Sequence, residues 1–314
     1  MATDMALSGK SIVSMADLSA DHIRQILSTA AMMKEISERE VKKAPTLRGR
    51  TVINFFAEPS TRTRTSFEIA GKRLSADVIN ISASGSSLSK GETLKDMAAN
   101  LQAMKPDLMV VRSPHSGVPH LLSNWMACPV INAGDGRHEH PTQALLDLMT
   151  IHERREDLEG LKVTILGDIL NSRVARSNMI GMARLGMEVT ACGPATMLPT
   201  NIGQMVAHHT TDVAEAVRGA DVVMALRIQK ERLEGCKFPN LREYSRYFGL
   251  TAAHMKHASP QAIVLHPGPI NQGVEISPDV VEGPWSVILN QVTNGVAVRM
   301  AALYLLLGGA QPEA

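Results

Sequence analysis

Aromatic residues make up only 3% of the 314-residue chain, and its charges nearly cancel, 32 Lys and Arg against 31 Asp and Glu. Few rings are therefore available for base stacking and no net cationic field exists, so neither nucleic acid nor an anionic membrane is expected as a partner. Cysteine is scarce too. Cys128, Cys192 and Cys236 stand far apart with no CxxC pair, which indicates neither a disulfide framework nor a zinc site and fits a reducing cytoplasm. The chain has no uninterrupted apolar run of about 18 residues, and its start, MATDMALSGKSIVSMADLS, lacks a basic segment followed by an apolar one. No membrane span and no export signal are expected.

What is present is alternation. Apolar runs rich in Val and Ile recur at 51–56, 77–82, 107–112, 129–134, 162–168, 188–192, 221–226 and 262–268, and they read as buried strands. Between them lie helical spacings such as Leu94, Met97, Ala98, Leu101 and Met104. Strand alternating with helix predicts α/β architecture with doubly wound parallel sheets, one per domain, and the length suits two domains. A helical pattern over 140–160 bridges them, and a second, over 291–309, closes the chain and can return to the first domain.

Ligands of open parallel sheets bind beyond the carboxyl ends of the strands. Those positions hold Ser60, Thr61, Arg62 and Thr63, then Arg112, then Asp135, Gly136, His140 and Gln143, then Asp168 and Arg173, then Arg227 and Gln229, and finally His266. Arginines at four strand ends point to a strongly anionic ligand. In EPSTRTRTSFE (58–68), hydroxyls and a guanidinium at a helix start suit phosphate. Local chemistry leaves a second reading open, in which Ser60 or Thr61 caps the helix and Arg64 pairs with Glu68. A P-loop is excluded because no glycines flank a Lys-Ser or Lys-Thr pair, and a dinucleotide is disfavoured because the fifth strand ends GDILNSR. His138 and His140 have no neighbouring cysteine or second histidine cluster, so a hydrogen-bonding role is preferred to metal ligation. The pairs His208-His209 and His254-His257 read as surface histidines. The loop SGSSLSKGE carries one cation, Lys90; it reads either as a flexible connector or as a lid over an anion.

Together FAEPSTRTRTSFE, SSLSKGET, VVRSP, GDGRHEHPTQALLDLMTI, GDILNSRVARSN, LRIQKER and LHPGPINQGVEI resemble, in order and spacing, the catalytic chains of the aspartate carbamoyltransferase family, from about residue 9 to about residue 308. The related ornithine enzymes typically carry HCLP where this chain reads His266-Pro267-Gly268-Pro269. The resemblance implies a carbamoyl phosphate-binding domain over 1–143 plus 289–314 and an aspartate-binding domain over 144–288. It implies phosphate held by Ser60, Thr61, Arg62, Thr63 and Arg112, with Ser87 (favoured over Ser86) and Lys90 from a neighbouring subunit. His140, Arg112 and Thr63 would face the carbamoyl oxygen, Gln143 the carbamoyl nitrogen, and the backbone of Pro267 and Gly268 the carbamoyl group. Arg173, Arg227, Gln229 and Lys90 would bind aspartate, and Glu58 resembles the position whose salt links hold the closed form.

No metal or organic cofactor is implied. The family's homotrimers share sites between subunits, and association with a dihydroorotase or a regulatory chain stays open. Two positions depart from the pattern: Glu139, a carboxylate able to raise the pKa of His140, and Gln272, where many relatives carry Arg. The alternative activity is a catalytically weak scaffold for another pyrimidine-pathway enzyme.

Overall fold

The computed structural model of the protein describes residues 6–82, 91–228 and 240–308. The chain divides into two units, Met1–Met149 with Thr293–Ala314, and Thr150–Val292. The first contains helix α1 (Ala20–Glu38), β1 (Thr51–Phe56), α2 (Thr61–Arg73), β2 (Asp77–Ser82), α3 (Leu94–Ala103), β3 (Leu108–Ser113), α4 (Val118–Trp125), β4 (Val130–Asp135) and most of α5 (Pro141–His152). The second contains β5 (Lys162–Leu166), α6 (Arg173–Arg184), β6 (Glu188–Cys192), β7 (His208–Thr210), α7 (Val213–Val217), β8 (Val222–Ala225), α8 (Leu241–Phe248), α9 (Ala252–Met255), β9 (Ile263–Leu265) and α10 (Pro278–Val281). Helix α11 (Ile288–Leu306) carries the chain back into the first unit.

Each unit is built on one wholly parallel sheet, ordered β2-β1-β3-β4 in the first and β7-β6-β5-β8-β9 in the second. The α/β class and the doubly wound sheets are those the alternation predicts. Strands β3 and β4 are buried at every position, as expected where helices cover both faces of a sheet. At the edge, β2 leaves Asp77, Ile79 and Asn80 exposed. Among the described residues, no helix is long and apolar enough to cross a membrane.

Two elements differ from the sequence reading. Strand β7, His208–Thr210, pairs with β6 although its histidines are exposed, because backbone hydrogen bonds hold an edge strand without an apolar face. The bridging helix ends at His152 rather than near 160, and the charged Glu153-Arg154-Arg155 stretch that follows, its first two residues exposed, turns back on the carbonyl of Ile151.

The strand ends align closely. Register pairs Phe56 with Arg112 and Ser113 with Asp135 in the first sheet, and Leu166 with Ala225 and Met224 with Leu265 in the second. The loops after β1, β3 and β4 therefore leave one edge of the first sheet, and those after β5, β8 and β9 leave one edge of the second. In the second unit the loops after β5 and β6 touch: a Cβ on Gly193 would lie 2.3 Å from the carbonyl oxygen of Gly167. Gly193→Ala must force these backbones apart, at a cost of about 1–3 kcal/mol. A lower melting temperature is the expected result, and an unchanged one would show that the approach is not constrained.

Candidate active site

In the first sheet, strand order reverses between β1 and β3, and such a switch point leaves a crevice beyond the strand ends. Helix α2 opens directly after β1. Its N-cap, Ser60, makes no side-chain capping bond, whereas Ser19, Thr93 and Ser172 each cap the helix they precede. Arg64 makes no salt bridge with Glu68, although its charge adds slightly to the lowering of the Glu68 pKa. The Glu68 carboxylate binds Lys72 and Asn80, and the Lys72 bond is the main cause that holds it below the usual carboxylate range. The cap-and-ion-pair reading of this stretch is thus not what the fold makes of it.

The first turn of α2 contains no acidic residue and carries Arg62, while α1, α3, α7 and α8 place Asp or Glu there. A helix N-terminus is partially positive, so this arginine adds cationic charge at a place that suits an anion. Thr61 and Arg62 are exposed and Thr63 is buried.

Arg112, at the end of β3, is 9% exposed. Its guanidinium donates to the Ala133 carbonyl at 3.1 Å and to Glu58 Oε1 at 3.2 Å, which fixes the fork beside the loop after β1. Behind α2 lies a cation that sequence reasoning missed. Arg299 of α11, 4% exposed, donates to Ser66 Oγ at 2.9 Å and to the Gly295 carbonyl at 3.0 Å, and lies 5.1 Å from the centre of the Phe67 ring. Burial first, then the charge of Arg112, lowers its pKa to about 10, against the pull of Asp147. Its one sequence signal is a lone arginine inside the apolar run of a helix buried on nearly all sides.

The loop after β4 is organised by Asp135. Its carboxylate accepts the Gly117 and Glu139 N–H groups and the Asn132 amide, and pairs with His138 at 3.1 Å. His140 is buried, and its carbonyl accepts the N–H groups of Gln143 and Ala144 at the start of α5. Gln143 donates its amide to Asp147 Oδ1 at 2.9 Å. The Glu139 carboxylate is turned to the N-terminal segment, where it accepts the Ser14 hydroxyl and the Met15 N–H.

The second sheet reverses between β5 and β8. Asp168 follows β5 and accepts the Asn171 N–H and side-chain amide. Ser172 then caps α6, whose first residue is Arg173. Arg173 is only 6% exposed, and this first turn too has no acidic residue. Its guanidinium again stands at the positive end of a helix, a place that suits an anion. Arg227, half-buried, follows β8, and Pro267 and Gly268, also half-buried, follow β9. Gln272 is exposed on the turn beyond them.

Ser86, Ser87, Lys90 and Gln229 lie outside the described residues. Burial pushes the Cys128 thiol up to about 11 and the Cys192 thiol up to about 12, so both are protonated at neutral pH and neither is a ready nucleophile. Among the described residues no three His, Cys, Asp or Glu side chains cluster as metal ligands.

Two family models match the chain: the carbamoyl-P binding domain of aspartate/ornithine carbamoyltransferase over residues 10–153, and the Asp/Orn binding domain over 159–306. The aspartate carbamoyltransferase catalytic subunit of Syntrophotalea carbinolica is 59% identical over 98% of this chain and 99% of that protein. Among solved structures, ornithine carbamoyltransferase from Pyrococcus furiosus superposes with a TM-score of 0.87 at 31% identity, covering 98% of this chain and 99% of the other. Aspartate transcarbamoylase from Trypanosoma cruzi in complex with carbamoyl phosphate gives 0.88 at 30% identity, covering 96% and 97%.

The Glu139 geometry generates a test. Glu139→Ala strands the Ser14 hydroxyl and the Met15 N–H, so melting should fall by the equivalent of about 1–3 kcal/mol, with phosphate affinity unchanged. Weakened phosphate binding at an unchanged melting temperature would contradict the structural role.

Proposed function

The chain belongs to the aspartate/ornithine carbamoyltransferase family, and from that premise we propose that it transfers the carbamoyl group of carbamoyl phosphate to the amine of L-aspartate. The products are N-carbamoyl-L-aspartate and phosphate, in pyrimidine synthesis. The observation that carries this reading is the inverted first turn of both switch-point helices. α2 carries Arg62 and α6 carries Arg173 in a first turn without an acid, so each adds a guanidinium to helix N–H groups that suit an anion. Relatives at 59% and 54% identity, from Syntrophotalea carbinolica and Desulfosudis oleivorans, bear the aspartate name.

In this reading Ser60, Thr61, Arg62 and Thr63, with the backbone N–H groups of α2, hold the phosphate, and Arg112 adds a fork kept in place by Glu58 and the Ala133 carbonyl. Ser87 and Lys90 of a neighbouring subunit complete the site in a homotrimer. His140, Arg112 and Thr63 donate to the carbamoyl oxygen, where negative charge grows as the amine attacks. Gln143 and the Pro267–Gly268 backbone hold the carbamoyl group. Arg173, Arg227, Gln229 and Lys90 take the two carboxylates of aspartate. The new bond joins the aspartate nitrogen to the carbamoyl carbon, the bond from that carbon to the phosphate oxygen breaks, and the departing phosphate accepts the amine proton. No covalent enzyme intermediate is needed, and catalysis rests on juxtaposing two anions and stabilising developing charge.

The direct test is the purified chain with carbamoyl phosphate and L-aspartate, with L-ornithine in parallel. Carbamoyl-aspartate from the first and no product from the second is expected; product with ornithine alone would overturn the acceptor. Arg62 is exposed, so Arg62→Ala should leave folding intact while activity falls by about 10²–10³, and near-normal turnover would defeat the phosphate site. Mixing inactive Arg62→Ala with inactive Lys90→Ala chains should restore activity in hybrid trimers. No recovery in verified hybrids would refute shared sites.

A further inference from the structure

His266, the residue after β9, is 2% exposed, and Glu275 is 1% exposed. The His266 Nδ1 lies 2.9 Å from the backbone nitrogen of Gly268. An amide N–H can only donate, so Nδ1 accepts and carries no proton. The ring proton then sits on Nε2, which lies 3.2 Å from Glu275 Oε1 and donates to it. Glu275 Oε1 also accepts the Asn271 N–H at 2.5 Å, and the Asn271 amide donates to the Ile228 carbonyl at 3.2 Å, the residue next to Arg227. The His266 N–H is itself fixed on Gln291 Oε1 at 2.9 Å. A buried carboxylate with one oxygen, Oε2, lacking a hydrogen-bond partner is an expensive thing to bury. What it secures is the backbone of one short loop.

We infer that His266, oriented by Glu275, is the positioning residue for the Pro267–Gly268 backbone and thereby for the carbamoyl moiety. This rests on the carbamoyl-transfer reading above. Gly268 occupies the left-handed region, φ +61°, so its N–H direction is set by the turn and by its one acceptor, the imidazole. A histidine that merely filled the core would matter through packing, whereas a positioning histidine matters through which of its two nitrogens is kept.

The experiment separates the two nitrogens. In His266→Asn the amide oxygen can stand near the Nδ1 position and keep the Gly268 bond. In His266→Gln the amide nitrogen can reach toward Glu275, but no acceptor faces Gly268. Titration of each full-length variant with carbamoyl phosphate and with inorganic phosphate should show the Gln variant binding carbamoyl phosphate about tenfold more weakly than wild type, with phosphate affinity unchanged. The Asn variant should stay within about threefold for both ligands. Equal losses in the two variants, or carbamoyl phosphate and phosphate weakened in parallel, would overturn the inference. Glu275→Leu, which removes the anchor of the ring, should reproduce the selective loss and serves if the Gln variant does not fold; unimpaired carbamoyl phosphate binding there would also overturn it. A wild-type chain that fails to distinguish carbamoyl phosphate from phosphate would instead fail the functional reading, and this inference with it.

Discussion

Cations at the positive ends of helices are the constraint on which the rest of this structure depends. Arg62 in the first turn of α2 and Arg173 in the first turn of α6 both stand where the helix dipole favours negative charge. In the first unit a further cation, Arg299, has its pKa lowered to about 10 by burial and by the neighbouring charge of Arg112. Bringing like charges together before a ligand arrives costs free energy, and the fold must hold them there. It does so with Glu58 and the Ala133 carbonyl on Arg112, and with Ser66 and the Gly295 carbonyl on Arg299. An anion that enters this region relieves a repulsion already present, and preorganisation of that kind makes electrostatic stabilisation effective.

The sheets make the gathering possible. Parallel strands send every loop that follows a strand toward the same edge, and the register pairing Phe56 with Arg112 sets the loop after β1 beside the end of β3. Strand order reverses between β1 and β3, and between β5 and β8. At each reversal the loops diverge to opposite faces and leave room between them. Each of these positions is also the start of a helix of 12 residues or more, α2 or α6, so backbone N–H groups point into the same space as the side chains.

Much of this was legible because buried parallel strands write themselves as continuous apolar runs. TVINFF is such a run, whereas His208–Thr210 is not, because an edge strand is held by backbone bonds that leave no hydrophobic trace. The arginines at the strand ends could be read from position alone. What held them could not. The bond from Glu58 to Arg112 joins residues 54 apart in the chain, and Arg299 reaches Ser66 across 233, distances over which pattern carries no information. The same limit applies to Glu139. Its neighbour in sequence is His140, but its hydrogen bonds go to Ser14 and Met15, more than 120 residues away.

The sign of the charge at the second edge bears on which amine is accepted. An acceptor that keeps one ammonium while its other amine reacts, such as ornithine, would need a carboxylate to receive it, and among the described residues Asp168 and Glu275, the acids near this edge, are engaged elsewhere. Asp168 is turned to the N–H and amide of Asn171, and Glu275 to Asn271 and His266. Both are almost fully buried. Their negative charge also falls on Tyr244, whose phenol is pushed above its ordinary value by burial first and then by Glu275, Cys192 and Asp168, so this field is directed into the core. Arg173 and Arg227, by contrast, stand at the strand ends themselves. In the proposed reading, these cations favour an acceptor that carries two carboxylates and disfavour one that keeps an ammonium.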